Sequence, residues 1–193
     1  MSNEHVCERS FEFSLLLSGI DQLTAAVEDA LFSAGCDDAT LSFQYGGARL
    51  EFTRVAPSMK DAILSAIRDV GRSGLPISVL QVDECNLVTQ AEIARRINRT
   101  RSLIGLFING QRGPGGFPPP VCHLGENTSL WRWCEVSYWL ASHDMINIEL
   151  RVAAEVVAAI NNTLDRIHQE CRNLPLMNEV SIALAATVGT PCG

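Results

Sequence analysis

Residues 89–108, Thr-Gln-Ala-Glu-Ile-Ala-Arg-Arg-Ile-Asn-Arg-Thr-Arg-Ser-Leu-Ile-Gly-Leu-Phe-Ile, constrain the fold more than any other stretch of this 193-residue chain. Ala91, Ile93, Ala94 and Ile97 recur at helical spacing, and Ile104, Phe107 and Ile108 give a second, matching stripe. Asn98 stands between the two helices so predicted, and Asn tolerates the left-handed backbone of a tight turn where a β-branched residue would clash. Small Ala94 lets the second helix cross closely over the first. Thr100 is placed to cap the second helix through its hydroxyl, so the outward positions that follow are Arg101, Ser102 and Gly105.

The run from Thr89 to Ile97 resembles the opening helix of many bacterial helix-turn-helix repressors. Further on, Phe117-Pro118-Pro119-Pro120-Val121, a polar gap, and Leu130-Trp131-Arg132-Trp133 with Val136, Trp139 and Leu140 complete the pattern. This part is similar to the wing hairpin and third helix of the AlpA and excisionase-like branch of MerR-type winged helices. The resemblance covers roughly residues 87 to 141 and implies double-stranded DNA binding, with the start of the second helix at base edges in the major groove. On that basis Arg101, Ser102, Arg99 and Gly105 are expected at bases, and Thr89, Gln90, Arg95, Arg96 and Thr100 at phosphates. Arg112, His123, Asn127, Thr128 and Arg132 are expected in the wing. The chain departs from the pattern at Asn98, where glycine is usual, and at Leu106, where a polar base reader is common. Leu106 fits contact with a thymine methyl or with protein.

Charge is segregated in the same direction. The whole chain carries −7, which argues against a nonspecific polyanion binder. Residues 89–132 hold six arginines (Arg95, Arg96, Arg99, Arg101, Arg112, Arg132) against Glu92 and Glu126, a net of +4 that leaves −11 for the remainder. An acidic body with one basic module turns that module toward DNA. The segment has no lysine, and guanidinium groups favour bidentate contacts to guanine and phosphate.

The N-terminal part changes hydrophobic period several times. Phe11, Phe13, Leu15 and Leu17 alternate as one face of a strand, then Leu23, Ala26, Val27, Ala30 and Leu31 follow helical spacing. Leu41, Phe43 and Tyr45, the turn Gly46-Gly47, and Leu50 and Phe52 predict a hairpin. Met59, Ile63, Ile67 and Val70 predict a helix ending near Gly71, and Ile77, Val79 and Leu80 a last strand. The order strand, helix, strand, strand, helix, strand is that of the ferredoxin-like split βαβ arrangement, a layout reused for many tasks. It offers roles in pairing with another copy, binding a small ligand or gripping a partner protein.

Ile146, Leu150, Ala153, Val157, Ile160, Leu164, Ile167, Cys171 and Leu174 alternate at spacings of four and three, the seam of a coiled coil or long packed helix, with Pro175 as its stop. One helix-turn-helix makes few contacts, whereas a two-fold pair reads half-sites about 34 Å apart. The helix is therefore expected to dimerise the protein through Leu150, Val157, Ile160, Leu164 and Ile167; the competing reading packs the stripe on the chain itself. The tail from Leu176 to Val188 is apolar and fits either strand or helix.

The expected architecture is thus α+β, with a ferredoxin-like domain over residues 1–84, a winged helix-turn-helix over 85–143 and an oligomerising helix and tail over 144–193. No segment is long and apolar enough to span a membrane, and no basic region precedes an apolar run at the N-terminus, so a soluble, cytoplasmic protein is expected. Seven scattered cysteines include no C-x-x-C pair, and Cys122, His123, Cys134 and His143 match no common zinc spacing. Gly113-Pro114-Gly115-Gly116 lacks the Gly-Lys-Ser/Thr of a phosphate loop and reads as a turn. Neither a cofactor nor a metal is expected, and no paired acids or Ser/Cys-His arrangement indicates an enzyme. The reading that follows is a dimeric, sequence-specific transcriptional regulator, a repressor. The alternatives are an antitoxin or defence-operon regulator holding a partner protein, and an excisionase-like architectural protein, a class usually much smaller.

Overall fold

The computed structural model describes residues 9–44, 47–82, 86–124 and 128–171, with 178, 179, 181 and 182. The architecture is α+β, with two small antiparallel sheets and six helices among these residues. The first sheet is built from β1 (Arg9–Ser18), β2 (Ala39–Gln44), β3 (Gly47–Ala56) and β4 (Ser78–Val82), in the order β2-β3-β1-β4. Helices α1 (Ala25–Ser33) and α2 (Met59–Arg72) fall between β1 and β2 and between β3 and β4, the element order that the periodicity predicts. Alternation puts Phe13, Leu15 and Leu17 of β1 on the same buried face as Leu50 and Phe52 of β3, where Leu31, Ile63, Ala66 and Val70 of the helices cover them. Phe13 and Phe52 are register partners and stack with ring centroids 5.2 Å apart. Thr24 and Ser58 start the two helices, each side chain accepting a hydrogen bond from a first-turn amide. Gly46, half of the predicted hairpin turn, lies outside the described residues.

One strand position breaks the apolar parity. Arg54 follows Leu50 and Phe52 on the covered face of β3 and is only 7% exposed. All five of its N–H donors are used. Asp38 takes a two-point contact at 2.8 Å, Asp69 one at 2.7 Å, and the Gly35 carbonyl and the Ser65 hydroxyl take the others. A buried guanidinium is tolerated only when satisfied in this way. The network ties β3 to the α1–β2 connection and to α2.

The second unit comprises β5 (Leu87–Val88), α3 (Gln90–Arg96), α4 (Arg101–Ile108), β6 (Cys122–Leu124), β7 (Thr128–Arg132) and α5 (Trp133–Ser142). Its sheet runs β5-β7-β6, and the two-residue β5 has no counterpart in the sequence reading. Asn98 has φ 50, the left-handed turn predicted between the helices. Ile93, Ile104, Val136 and Leu140 are fully buried together, with Val88, Trp131 and Trp133 around them. The glycine- and proline-rich connection after α4 is held by indoles. Trp131 Nε1 donates to Pro118 O at 3.1 Å and Trp139 Nε1 to Gly115 O at 2.9 Å, while Phe117 meets both rings edge-on.

Helix α6 (Ile148–Cys171) joins the two cores and corrects one expectation. Val157, Ile160 and Leu164 pack into the first core with Val156, and Leu150 packs into the second, so the predicted dimer seam is covered by the chain's own domains. The 4-3 spacing of the sequence marks a buried stripe without naming what buries it. Only Ile167 of that set remains exposed, at 46%. Residues 144–193 are accordingly no separate appendage at their N-terminal end. Asn161, 8% exposed, fixes the helix to the sheet: its Oδ1 accepts from Val82 N at 2.8 Å and its Nδ2 donates to Val82 O at 3.0 Å. The amide thus supplies to the end of β4 the two bonds a further strand would give. Leu174, Pro175 and most of the predicted tail lie outside the described residues, while 178, 179, 181 and 182 are helical. No helix among the described residues is long and apolar enough to cross a membrane.

Candidate nucleic-acid interface

The segment that carries α3 and α4 is built from its caps outward. Thr89 Oγ1 accepts from Glu92 N at 3.2 Å and Thr100 Oγ1 from Leu103 N at 3.3 Å, so both helices start at a threonine that fixes the direction of their first amides. Gln90, at the start of α3, donates from Nε2 to the backbone carbonyl of Arg101 at 2.8 Å. Gly105, one turn further along α4, lies so close that an added Cβ would stand 2.8 Å from that nitrogen. Gln90 and Gly105 are therefore the joint between the helices. The expectation of a phosphate contact from one and a base contact from the other gives way to this packing role, because the amide is engaged and the glycine faces it.

Arg101 and Ser102 project from the exposed start of α4, with Arg99 exposed just before it. Arg99 Nη1 reaches the carbonyl of Asn98 at 3.3 Å. A shallow cleft of about 240 Å³ opens beside Arg101, and Thr89 at the cap of α3, Gln90 and Ala91 of α3, and Thr128 and Ser129 of β7 form its walls. One concavity thus collects the starts of both helices and one strand of the hairpin. His123 Nδ1 lies 2.9 Å from Ser129 Oγ across the hairpin, and the two residues are register partners. Arg132 is paired with Glu135 at 3.1 Å, Arg112 is exposed in the connection after α4, and Asn127 lies outside the described residues.

Arg95 and Arg96 are arranged differently from the expectation. Both converge on Glu92, at 2.7 Å each, and Arg96 lies over the Trp133 ring at 5.1 Å with its side chain 19% exposed. The Arg95 guanidinium above all, with Arg96, draws the Glu92 carboxyl down to about 2. Arg96 is therefore a support for the module, and both arginines line a second cleft on the side of the first sheet, away from Arg101. The module's basic charge is divided between two surfaces.

The chain matches no protein-family model, no curated protein and no solved structure.

The functional reading therefore rests on residues and geometry alone. Two contributors were not legible in the sequence. Asn86 accepts from Cys134 N through its side chain at 3.3 Å and from Trp133 N through its carbonyl at 2.7 Å, and so caps the start of α5 and orients Trp133. Arg49 on β3 is the second; its alternation with Leu50 assigns it to the uncovered sheet face but says nothing of what faces it. Cys122 sits on β6 and Cys134 on α5 beside Asn86, while His143 Nδ1 contacts Trp139 O at 2.7 Å.

Proposed function

We propose that the segment over roughly residues 87–141 is a winged helix-turn-helix and that the chain is a sequence-specific regulator of transcription acting on double-stranded DNA. The observation that carries this reading is the concavity at Arg101: two capped helix starts and a hairpin strand surround an exposed guanidinium whose backbone carbonyl is held by Gln90. Helix starts present unpaired amides and a positive dipole end, which favour phosphate, and a guanidinium one residue past the cap has the reach for a base edge. Arg101 and Ser102 read bases in this arrangement, with Arg99 beside them. Thr89 and Thr100 lie at the helix starts that approach phosphate, and Thr128, Arg112 and Arg132 belong to the wing side. The N-terminal sheet, in the order β2-β3-β1-β4 with two intervening helices, fits the ferredoxin-like arrangement.

The test is selection of bound fragments from a random duplex pool, followed by titration of Arg101→Ala and Arg112→Ala on the selected site and on random DNA. Loss of about 1–3 kcal/mol confined to the selected site is expected for Arg101→Ala, and a uniform loss with a shallower salt dependence for Arg112→Ala. No retained duplex at low ionic strength, or equal losses on both DNAs for both variants, refutes the assignment. Dimerisation, if the selected site is a palindrome, has to use a surface other than the α6 seam. Sedimentation with and without that site checks it.

A further inference from the structure

The larger of the two clefts has no part in the DNA reading. It measures about 800 Å³ and lies between the uncovered face of the first sheet, α6 and the end of α3. Register fixes the sheet wall. Arg49 is opposite Leu16 and Ser42, and Glu51 opposite Ser14 and Thr40, so these side chains share the face opposite Leu50 and Phe52. The facing wall is apolar along α6, with Leu150, Ala153 and Val157, and turns polar at the end of α3, where Arg95 and Arg96 line it and Arg96 covers the Trp133 ring.

Arg49 is the anomaly of this wall. Its guanidinium is half-buried and donates to Ser14 Oγ at 2.7 Å, yet no carboxylate among the described residues lies within ion-pair distance. The other arginines withdrawn from solvent each hold one: Arg54 has Asp38 and Asp69, Arg96 has Glu92, and Arg151 has Glu155. A guanidinium carries five donors, and Arg49 uses one on a neutral hydroxyl. It is also set in a concavity wide enough to admit a second group. A planar carboxylate is the acceptor that fits such a fork.

The neighbours restrict the anion further. Glu51 stands two residues along the same strand, roughly 7 Å away by strand geometry. Glu12 lines the same cleft. Arg95 and Arg96 at the far end are engaged with Glu92, so the carboxylates beside Arg49 set the local field: they disfavour a multiply charged phosphate and favour a ligand that brings its own cation beside its anion. The apolar wall takes a hydrocarbon or aromatic body. We propose that this cleft binds a small zwitterion of the α-amino acid type: its carboxylate on Arg49, its ammonium toward Glu51 and Glu12, its side chain against Leu150, Ala153 and Val157 of α6. The walls belong to the sheet on one side and to α3 and Trp133 on the other, so the occupied cleft couples the ligand to the DNA-reading module. That coupling rests on the function proposed above; the binding site does not.

The experiment is isothermal titration of the full chain with the common L-amino acids one at a time, with N-acetylated forms of any that bind and with inorganic phosphate as comparison arms. At least one free amino acid is expected to bind, its N-acetyl form about tenfold or more weaker, and phosphate weaker still. Arg49→Met keeps the apolar stem and is expected to weaken binding at least about tenfold, while Glu51→Gln weakens the free amino acid and leaves the N-acetyl form unchanged. Glu51 is exposed, so Glu51→Gln carries the test if Arg49→Met fails to fold. No binding by any amino acid, or affinities unaltered by both substitutions, overturns the site. Binding that leaves the affinity for the selected DNA unchanged overturns the coupling alone. Absence of DNA binding with these titrations intact overturns the regulator reading and not the cleft.

Discussion

Replacing Asn161 with leucine tests whether α6 is bonded to the sheet or merely lies beside it. Leucine keeps the branching and the number of side-chain heavy atoms but carries bulkier methyls, so the site stays filled while both hydrogen bonds to Val82, at 2.8 and 3.0 Å, are lost. Val82 is fully buried, which leaves its N–H and C=O without water as a substitute. A net hydrogen bond contributes about 1 kcal/mol, and each orphaned buried backbone group costs about 1–3 kcal/mol. Allowing roughly 1 kcal/mol back for the apolar side chain, the loss comes to about 3 kcal/mol, a substantial part of the 5–15 kcal/mol that is typical of a folded domain. For a chain of this size that is a fall in Tm of about 6–12 °C. The assay is urea denaturation of the full chain followed by circular dichroism, reading the midpoint at constant slope. Asn162, exposed on the next position of the helix, supplies the control: Asn162→Leu should stay within about 0.5 kcal/mol. Equal midpoints for the two variants would refute the reasoning, because then losing the buried amide contacts costs no more than changing an exposed asparagine.

Three further outcomes follow from the geometry. Arg54→Met strips Asp38 and Asp69 of their shared cation in a largely buried setting and should cost about 3–5 kcal/mol in the same urea assay, with Arg54→Lys intermediate because three donors cannot replace five. Gly105→Ala gains about 1 kcal/mol of helix propensity and loses the Gln90 bond to Arg101 O, so its stability should change little. The double mutant with Gln90→Ala should then be about 1 kcal/mol better than the sum of the single changes; simple additivity would contradict the contact. Glu92 has its carboxyl lowered from 4.5 to about 2, chiefly by the Arg95 hydrogen bond. Its contribution is therefore complete above about pH 4.5 and is lost as pH falls toward 2. The stability difference between wild type and Glu92→Gln should shrink across that window in acid titrations, and a difference independent of pH would count against the pairing.

Much of the fold was legible because burial imposes a period. Phe11, Phe13, Leu15 and Leu17 had to alternate to cover one face of a strand, and Val27, Ala30 and Leu31 carry the spacing of the first helix, whereas Leu23 lies before its cap and is exposed. Asn98 and Thr100 were legible for a local reason, since turn and cap chemistry is confined to a few neighbouring residues. What stayed hidden is what a stripe packs against. The seam of α6 has the spacing of a coiled coil, yet the same spacing serves a helix laid over two cores of its own chain. Arg54 had the parity of a buried residue, but its acceptors come from Gly35, Asp38, Ser65 and Asp69, positions brought together only by the fold. Helical phase turns Gln90 and Gly105 outward but does not give the distance between them, so their contact is not visible in the sequence.

The division of α6 between both cores makes the molecule hard to dismantle in pieces. A fragment ending before Ile148 would leave Val82 and the flank of the first sheet bare, and would strip the second unit of Leu150 and Ala154 in the same cut. Neither half can be exchanged for that of another protein unless the helix travels with it and suits both hosts. Melting followed by probes in Trp133 and in the first sheet should therefore report one temperature, as a roof held by a single beam comes down in one piece.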